Sequence, residues 1–157
     1  MSKDKVGGGS QIEYFDNCNN TDLVPYYHKM MNEFHASGFA THRTICFSYS
    51  QKAFAAFNEA GEVVGMVLFE DEPWKNAVCV VHGHVDKDYR RQGIYTRLWN
   101  SVVEKAQEWG RYSVEGATHH DNLPMLAVMS KLGRKPTFTF FTFPVPATKK
   151  TKKGKKK

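Results

Sequence analysis

The chain has 157 residues, 41% of them hydrophobic and 13% aromatic, which is enough apolar material for one domain with a packed core. No stretch approaches the ~20 apolar residues of a spanning helix, and residues 1–10 contain no apolar signal-type core, so the expectation is a soluble, cytoplasmic protein without membrane insertion. The formal charge of +6 is a property of one end: seven of the 22 basic residues are Lys149, Lys150, Lys152, Lys153, Lys155, Lys156 and Lys157, leaving 15 basic against 16 acidic residues elsewhere.

Residues 1–10 read as a flexible N-terminus, 11–146 as the folded domain and 147–157 as a disordered lysine-rich tail, because such a run buries no apolar area. Two readings of the tail stand side by side: nonspecific contact with a polyanion, an acidic protein or a membrane surface, or a solubilising end with no specific partner. The three cysteines, Cys18, Cys46 and Cys79, have neither metal-like nor disulfide-framework spacing, which fits a reducing compartment.

In chain order, residues 11–15 form a short strand candidate. Asn20, Thr21 and Asp22 then offer capping oxygens to a helix with apolar positions Leu23, Tyr27, Met30, Met31 and Phe34, closed by Gly38. Residues 39–50 are mixed and read as a short helix or a loop. Apolar runs at 53–57 and 63–69 flank a hairpin connection at 58–62, and a third run spans 77–85 after Pro73. Ile94, Leu98, Val102, Ala106 and Trp109 then recur at helical spacing up to Gly110. Residues 112–118 form the next strand, followed by His119, His120, Asp121 and Asn122 and a helix with Pro124 in its first turn and Gly133 at its end. Residues 135–143 are β-rich and end at Pro144 and Pro146. A helix joining the strands at 77–85 and 112–118 implies a right-handed parallel crossover inside a mixed sheet.

The turn after the 77–85 strand is the most informative stretch. Asp86-Lys87-Asp88-Tyr89-Arg90-Arg91-Gln92-Gly93 is basic, contains glycine and feeds straight into a helix. Backbone N–H groups of such a turn and of the first helical turn converge on an anion, and the helix dipole favours negative charge there. Gly93 permits close backbone approach. This is the layout of a phosphate cradle.

These residues resemble the GNAT N-acetyltransferase superfamily. Its pyrophosphate motif, R/Q-x-x-G-x-G/A, is matched by Arg90-Arg91-Gln92-Gly93-Ile94, with Tyr95 departing where glycine or alanine is usual; Val85 and Tyr89 stand at the spacing of the preceding valine and tyrosine. Asn122, followed by Met129-Ser130-Lys131-Leu132-Gly133, is similar to a second signature, with Met129 where a tyrosine is common, and Val63-Val64-Gly65 is a weaker third match. The resemblance implies a GNAT-like α/β (α+β) fold: a mixed, mostly antiparallel central sheet, a parallel β-α-β crossover at the CoA site, and helices on both faces.

It further implies acetyl transfer from acetyl-CoA, as cosubstrate, to a primary amine by direct attack in a ternary complex, the amine being a small molecule or a protein amine. The cofactor would be held by Val85, Arg90, Arg91, Gln92, Gly93, Ile94, Tyr95 and Asn122, with pantetheine in a splay between the fourth and fifth strands and the Val85 N–H polarising the thioester carbonyl. A non-catalytic or weakly catalytic protein on the same scaffold, using the lysine tail for an acidic partner or nucleic acid, is the second function class. Arg90 and Arg91 as solvated turn residues and Asn122 as a helix cap are the plain structural readings.

Proton handling is less marked. Met129 has no proton to donate and reads as core filler. Alternation along 77–85 places Val81 and Cys79 with Val85 and turns His82 and His84 away, unless a bulge changes the phase. An amine with a pKa of about 10.4 arrives protonated, so a base is needed, and His84, His119 and His120 are the candidates. His82, His84, His119 and His120 lack a third ligand at defined spacing, so no metal is expected.

Overall fold

In a computed structural model, residues 10–19, 21–38 and 50–137 are described. The chain runs β1 (Gln11–Phe15), α1 (Leu23–Ser37), β2 (Gln51–Phe57), β3 (Val63–Glu72), β4 (Ala77–Val85), α2 (Ile94–Glu108), β5 (Ser113–Gly116) and α3 (Leu123–Lys131), with 3₁₀ turns at Pro73–Lys75 and Lys87–Tyr89. The strands form one sheet in the order β1-β2-β3-β4-β5. All neighbours are antiparallel except β4 and β5, which are parallel. The expected crossover is therefore present, with α2 as its helix.

Each face of the sheet buries one helix. Leu23, Tyr26, Tyr27, Met30 and Met31 of α1 fall on one stripe and pack with Ala53 and Ala55 of β2 and Met66 and Leu68 of β3. On the other face, Ile94, Leu98, Trp99, Val102 and Ala106 of α2 pack with Phe54, Val67, Phe69, Val78, Val80 and Val85. The alternation of β2, with Ala53 and Ala55 to α1 and Phe54 and Ala56 to α2, shows the two-residue period of a strand covered on both sides. The bulk differs too: alanines meet the tyrosines and methionines of α1, and phenylalanines meet α2.

Close packing over α2 depends on Gly65. A Cβ there would stand 3.0 Å from Ile94 Cγ2 and 3.3 Å from Val85 Cγ2, so even a methyl group would require these side chains to give by a few tenths of an ångström. The helix start is thus seated directly on the sheet beside the end of β4.

Several elements differ from expectation in extent. β2 begins at Gln51 and β5 is confined to Ser113–Gly116. The segment 39–49 and the β-rich run from Phe138 onward lie outside the described residues, as do Cys46 and the lysine tail. Lys135, Pro136 and Thr137 form no strand. Of the capping oxygens the sequence offered to α1, Asp22 stands at the N-cap without a side-chain bond, and the Thr21 hydroxyl just before it accepts from Leu23 N–H at 3.3 Å. No described helix is long and apolar enough to cross a membrane.

Candidate active site

β4 changes phase once. Leu68 of β3 pairs with His82 and Phe69 with Val80, so Val81 is an extra residue, a β-bulge. The bulge corrects the simple alternation: Val78 and Val80 share the α2 face with Val85, and Cys79 falls on the opposite face. Pairing with β5 ends at the same place, since the last pair is Val80 with Gly116. Residues 81–85 therefore pair with β3 on one side and leave their other edge open toward β5. An open strand edge carries unpaired N–H and C=O groups, which an extended amide-bearing ligand would satisfy.

The turn that follows is held from several directions. Asp86 N–H donates to Val64 O at 3.0 Å, and Tyr89 N–H to Asp86 O at 2.9 Å. Arg90 Nε donates to Val85 O at 2.8 Å and its Nη2 lies 3.5 Å from Glu33 Oε2, so Arg90 ties the turn back to β4 and α1. Arg91 is exposed and adopts φ of 62°, a left-handed conformation that a non-glycine residue takes only at a cost. Gly93, at φ of 76°, precedes Ile94, and no side chain caps α2. Its first intrahelical bond runs from Arg97 N–H to Gly93 O, which leaves the N–H groups of Ile94, Tyr95 and Thr96 without intrahelical acceptors. Arg91, Gln92 and Gly93 surround this end with exposed positive and neutral groups. The arrangement suits a diphosphate.

Arg91→Gly separates two contributions. Releasing the left-handed strain should stabilise the fold by up to about 1 kcal/mol. Losing an exposed guanidinium beside this helix end should weaken a diphosphate-bearing ligand roughly tenfold, most at low salt. Thermal melting together with calorimetry checks both signs.

The histidines divide between two places. His84 is buried on the α1 face, its side chain 4% exposed, with Nε2 3.0 Å from Glu33 Oε2 and Nδ1 2.9 Å from the Tyr26 hydroxyl. A carboxylate only accepts, so Nε2 carries the proton and, in the neutral ring, Nδ1 accepts from Tyr26. Burial, and next the Asp86 charge, push the Tyr26 phenol well above its ordinary value. Burial raises Glu33, but the bond from His84 and nearby cations outweigh it and hold the carboxyl below the usual range. His82 packs against the rings of Tyr27 and Phe34, and burial lowers its pKa.

His119 and His120 sit in the loop from β5 to α3, stacked with centroids 4.4 Å apart, and His120 Nε2 is 3.2 Å from Asp121 Oδ1. Because β4 and β5 are parallel, this loop opens at the same end of the sheet as the cradle. Glu33, His84 and Asp86, and separately His119, His120 and Asp121, have donor atoms close enough to share an ion. In the first cluster cations already stand against both carboxylates: Lys29 lies 2.6 Å from Asp86, and Arg90 lies near Glu33.

Asn122 caps α3, its Oδ1 accepting from Met125 N–H at 3.4 Å while Nδ2 donates to Thr118 Oγ1 at 3.2 Å. Met129 is half-buried and α3 buries none of its residues, which corrects the reading of Met129 as core filler. A cleft of about 430 Å³ adjoins the start of α2, lined by Asn58, Glu59, Tyr89, Gln92 and Ile94. Glu33, Tyr26 and Arg134 are site neighbours that the sequence did not mark. Only Arg134, next to the helix-ending Gly133, stood beside a recognised pattern.

The profile of the Acetyltransferase (GNAT) family matches residues 13–133. No curated protein matches the chain significantly. Among solved structures, an aminoglycoside acetyltransferase, meta-AAC0020, from an uncultured soil metagenomic sample superimposes with a TM-score of 0.67 at 15% identity, covering 90% of this chain and 100% of its own. A ribosomal-protein-alanine N-acetyltransferase from Brucella melitensis biovar Abortus 2308 gives 0.64 at 19% identity, covering 87% and 100%. AAC(6')-Iy, in complex with a bisubstrate analogue, CoA-S-monomethyl-acetylneamine, gives 0.65 at 14% identity, covering 89% and 100%. At these identities the structures speak for the fold, and the profile, which spans most of the chain from β1 to the end of α3, establishes that the chain belongs to the GNAT acetyltransferase family.

Proposed function

We propose that this protein transfers an acetyl group from acetyl-CoA to a primary amine, by direct attack of the amine on the thioester while both are bound. The observation that carries the reading is the junction of two features: the edge of β4 opens at residues 81–85, and the same strand delivers the chain into an uncapped helix N-terminus ringed by Arg91, Gln92 and Gly93. One ligand satisfies both. Its diphosphate would take the free N–H groups at Ile94, Tyr95 and Thr96, and its pantetheine amides would run along the open edge toward Val85 and the bulge.

Acetyl-CoA supplies the activated acyl group; the chain binds, orients and handles protons. A backbone N–H at the open edge would stabilise the oxyanion as the amine attacks. The proton of the incoming ammonium falls to a base or to water, with His84, His119 and His120 as the candidates and Glu33 behind His84. Variants of each histidine should separate them: the base removes the acidic limb of the kcat/KM–pH profile when replaced, and a packing residue does not.

The structural neighbours act on unlike amines, an aminoglycoside in one case and a protein alanine in another. Release of free CoA thiol from acetyl-CoA should therefore be followed against sisomicin, a peptide with N-terminal alanine and a lysine peptide. Accelerated, saturable thiol release with at least one amine supports the reading. Binding without turnover against any amine favours a non-catalytic member of the fold.

The lysine tail is proposed as a separable electrostatic tether. Deleting residues 149–157 should leave acetyl-CoA affinity unchanged while weakening retention on DNA or RNA, most clearly at low salt and regardless of base sequence. Identical nucleic-acid affinity and salt slope without the tail would refute the tether.

A further inference from the structure

One stripe of α1 grips the end of β4 and the turn that follows it. Tyr26, Lys29 and Glu33, spaced three and four apart, share a helix face and reach His84, Asp86 and Arg90. The Tyr26 hydroxyl lies 2.9 Å from His84 Nδ1, Lys29 Nζ lies 2.6 Å from Asp86 Oδ2, and Glu33 Oε2 lies 3.0 Å from His84 Nε2 and 3.5 Å from Arg90 Nη2. One carboxylate oxygen thus meets both the buried imidazole and the guanidinium. From the connection between β2 and β3, Asn58 Nδ2 donates to the Tyr89 hydroxyl at 3.1 Å, so the turn is also held at Tyr89.

Arg90 is the member of this seam that meets the open edge of β4. Asp86 N–H is taken by Val64 O of β3, so by the alternation of a strand Val85 turns its N–H and C=O to the open side. Arg90 Nε donates to that carbonyl at 2.8 Å, while its Nη2 faces Glu33. The guanidinium is therefore engaged at two of its nitrogens by groups of this chain. Glu33 poses the sharper question. By charge alone, a carboxylate beside a turn that binds a diphosphate opposes binding. Holding the guanidinium that shapes the turn would give it the opposite effect.

We infer that Glu33 is a positioning residue for the cofactor turn and acts through Arg90: the carboxylate holds the guanidinium against Val85 O, and that strut fixes the turn from which the N–H groups of Ile94, Tyr95 and Thr96 are presented. Arg90 is then a brace of the site and not a ligand of the diphosphate, a part that falls to the backbone and to Arg91. The inference rests on the acyl-CoA reading above. A guanidinium suits the task, since its planar fork satisfies a carbonyl and a carboxylate together, and the single ammonium of a lysine does not reproduce that geometry.

The test is calorimetry with acetyl-CoA on the full chain, at low and at high salt, with melting curves to show each variant folded at the working temperature. Arg90→Lys keeps the charge and loses the fork; it should bind about tenfold more weakly, by the same factor at both salt concentrations. Arg91→Lys, which keeps a point charge for the phosphates, should stay within about twofold of the parent. Glu33→Ala removes a negative charge and should nevertheless weaken binding about fivefold, and Glu33→Gln, which leaves an acceptor for His84 and Arg90, should recover most of that loss. An Arg90→Lys protein with parental affinity overturns the inference and leaves the binding site standing. So does a Glu33→Ala protein that binds more tightly, since the carboxylate would then act by its charge alone, or a Glu33→Gln protein as weak as Glu33→Ala. The Arg90 side chain is 48% exposed, so Arg90→Lys decides the matter even where Glu33→Ala does not fold. Failure of the parent to bind acetyl-CoA at all overturns the function reading, and this inference with it.

Discussion

Gly93→Glu is expected to weaken acetyl-CoA binding at least a hundredfold without unfolding the protein. Gly93 holds φ of 76° immediately before α2, and a Cβ there meets nothing within 4 Å. The side chain therefore fits, and the folding cost is the left-handed strain alone, about 1–2 kcal/mol. The carboxylate, however, would project where the N–H groups of Ile94, Tyr95 and Thr96 await an anion. One negative charge at ~4–5 Å from another costs roughly 3–4 kcal/mol at an effective dielectric near 20. Each 1.4 kcal/mol or so is tenfold in affinity, so a hundredfold loss is a conservative expectation. Gly93→Ala carries the same strain without the charge and should lose only a few-fold. Calorimetry on both variants, with melting curves as the folding control, isolates the electrostatic part.

The largest stability effect should come from His84→Leu. The parent ring joins β4 to α1 through Tyr26 and Glu33 and is nearly inaccessible to water. Leucine of similar volume would remove the imidazole acceptor of the buried Tyr26 phenol and the hydrogen bond that His84 gives Glu33, a cost of about 2–4 kcal/mol. For a chain of this size that is a fall in Tm of roughly 5–15 °C. The pH dependence should change as well. Glu33 is held below the usual carboxylate range, so its contribution is complete above that range and is lost as pH falls through the depressed native value. Removing His84 takes away a hydrogen bond that lowers Glu33, and the acid limb of the stability curve should flatten. A His84→Leu protein with parental Tm and an unchanged acid limb would show that the network contributes nothing to the fold.

The legible parts of this chain were those governed by local periodicity and turn chemistry. The face of α2 was read from Ile94, Leu98, Val102 and Ala106, all of which are buried, and the glycine turn was read from its position between a strand and that helix. Trp99, buried beside Leu98, was not separable from a surface position because it lies one residue off the stripe. The phase of β4 was illegible for a related reason. Nearly every residue of Ala77–Val85 is apolar or aromatic in character, so a one-residue bulge at Val81 leaves no mark in the pattern. The contacts of His84 with Glu33 and Tyr26 and of Arg134 with Gly116 and Trp99 depend on elements distant in sequence, and no local spacing encodes them.

The most direct test of the central claim is a crystal structure of the protein with acetyl-CoA bound. The account predicts diphosphate oxygens within hydrogen-bonding distance of the N–H groups at Ile94, Tyr95 and Thr96, and pantetheine amides along residues 81–85 of β4. A cofactor seated instead in the cleft lined by Asn58, Glu59 and Tyr89, with the edge of β4 bare and the α2 N-terminus unoccupied, would contradict it.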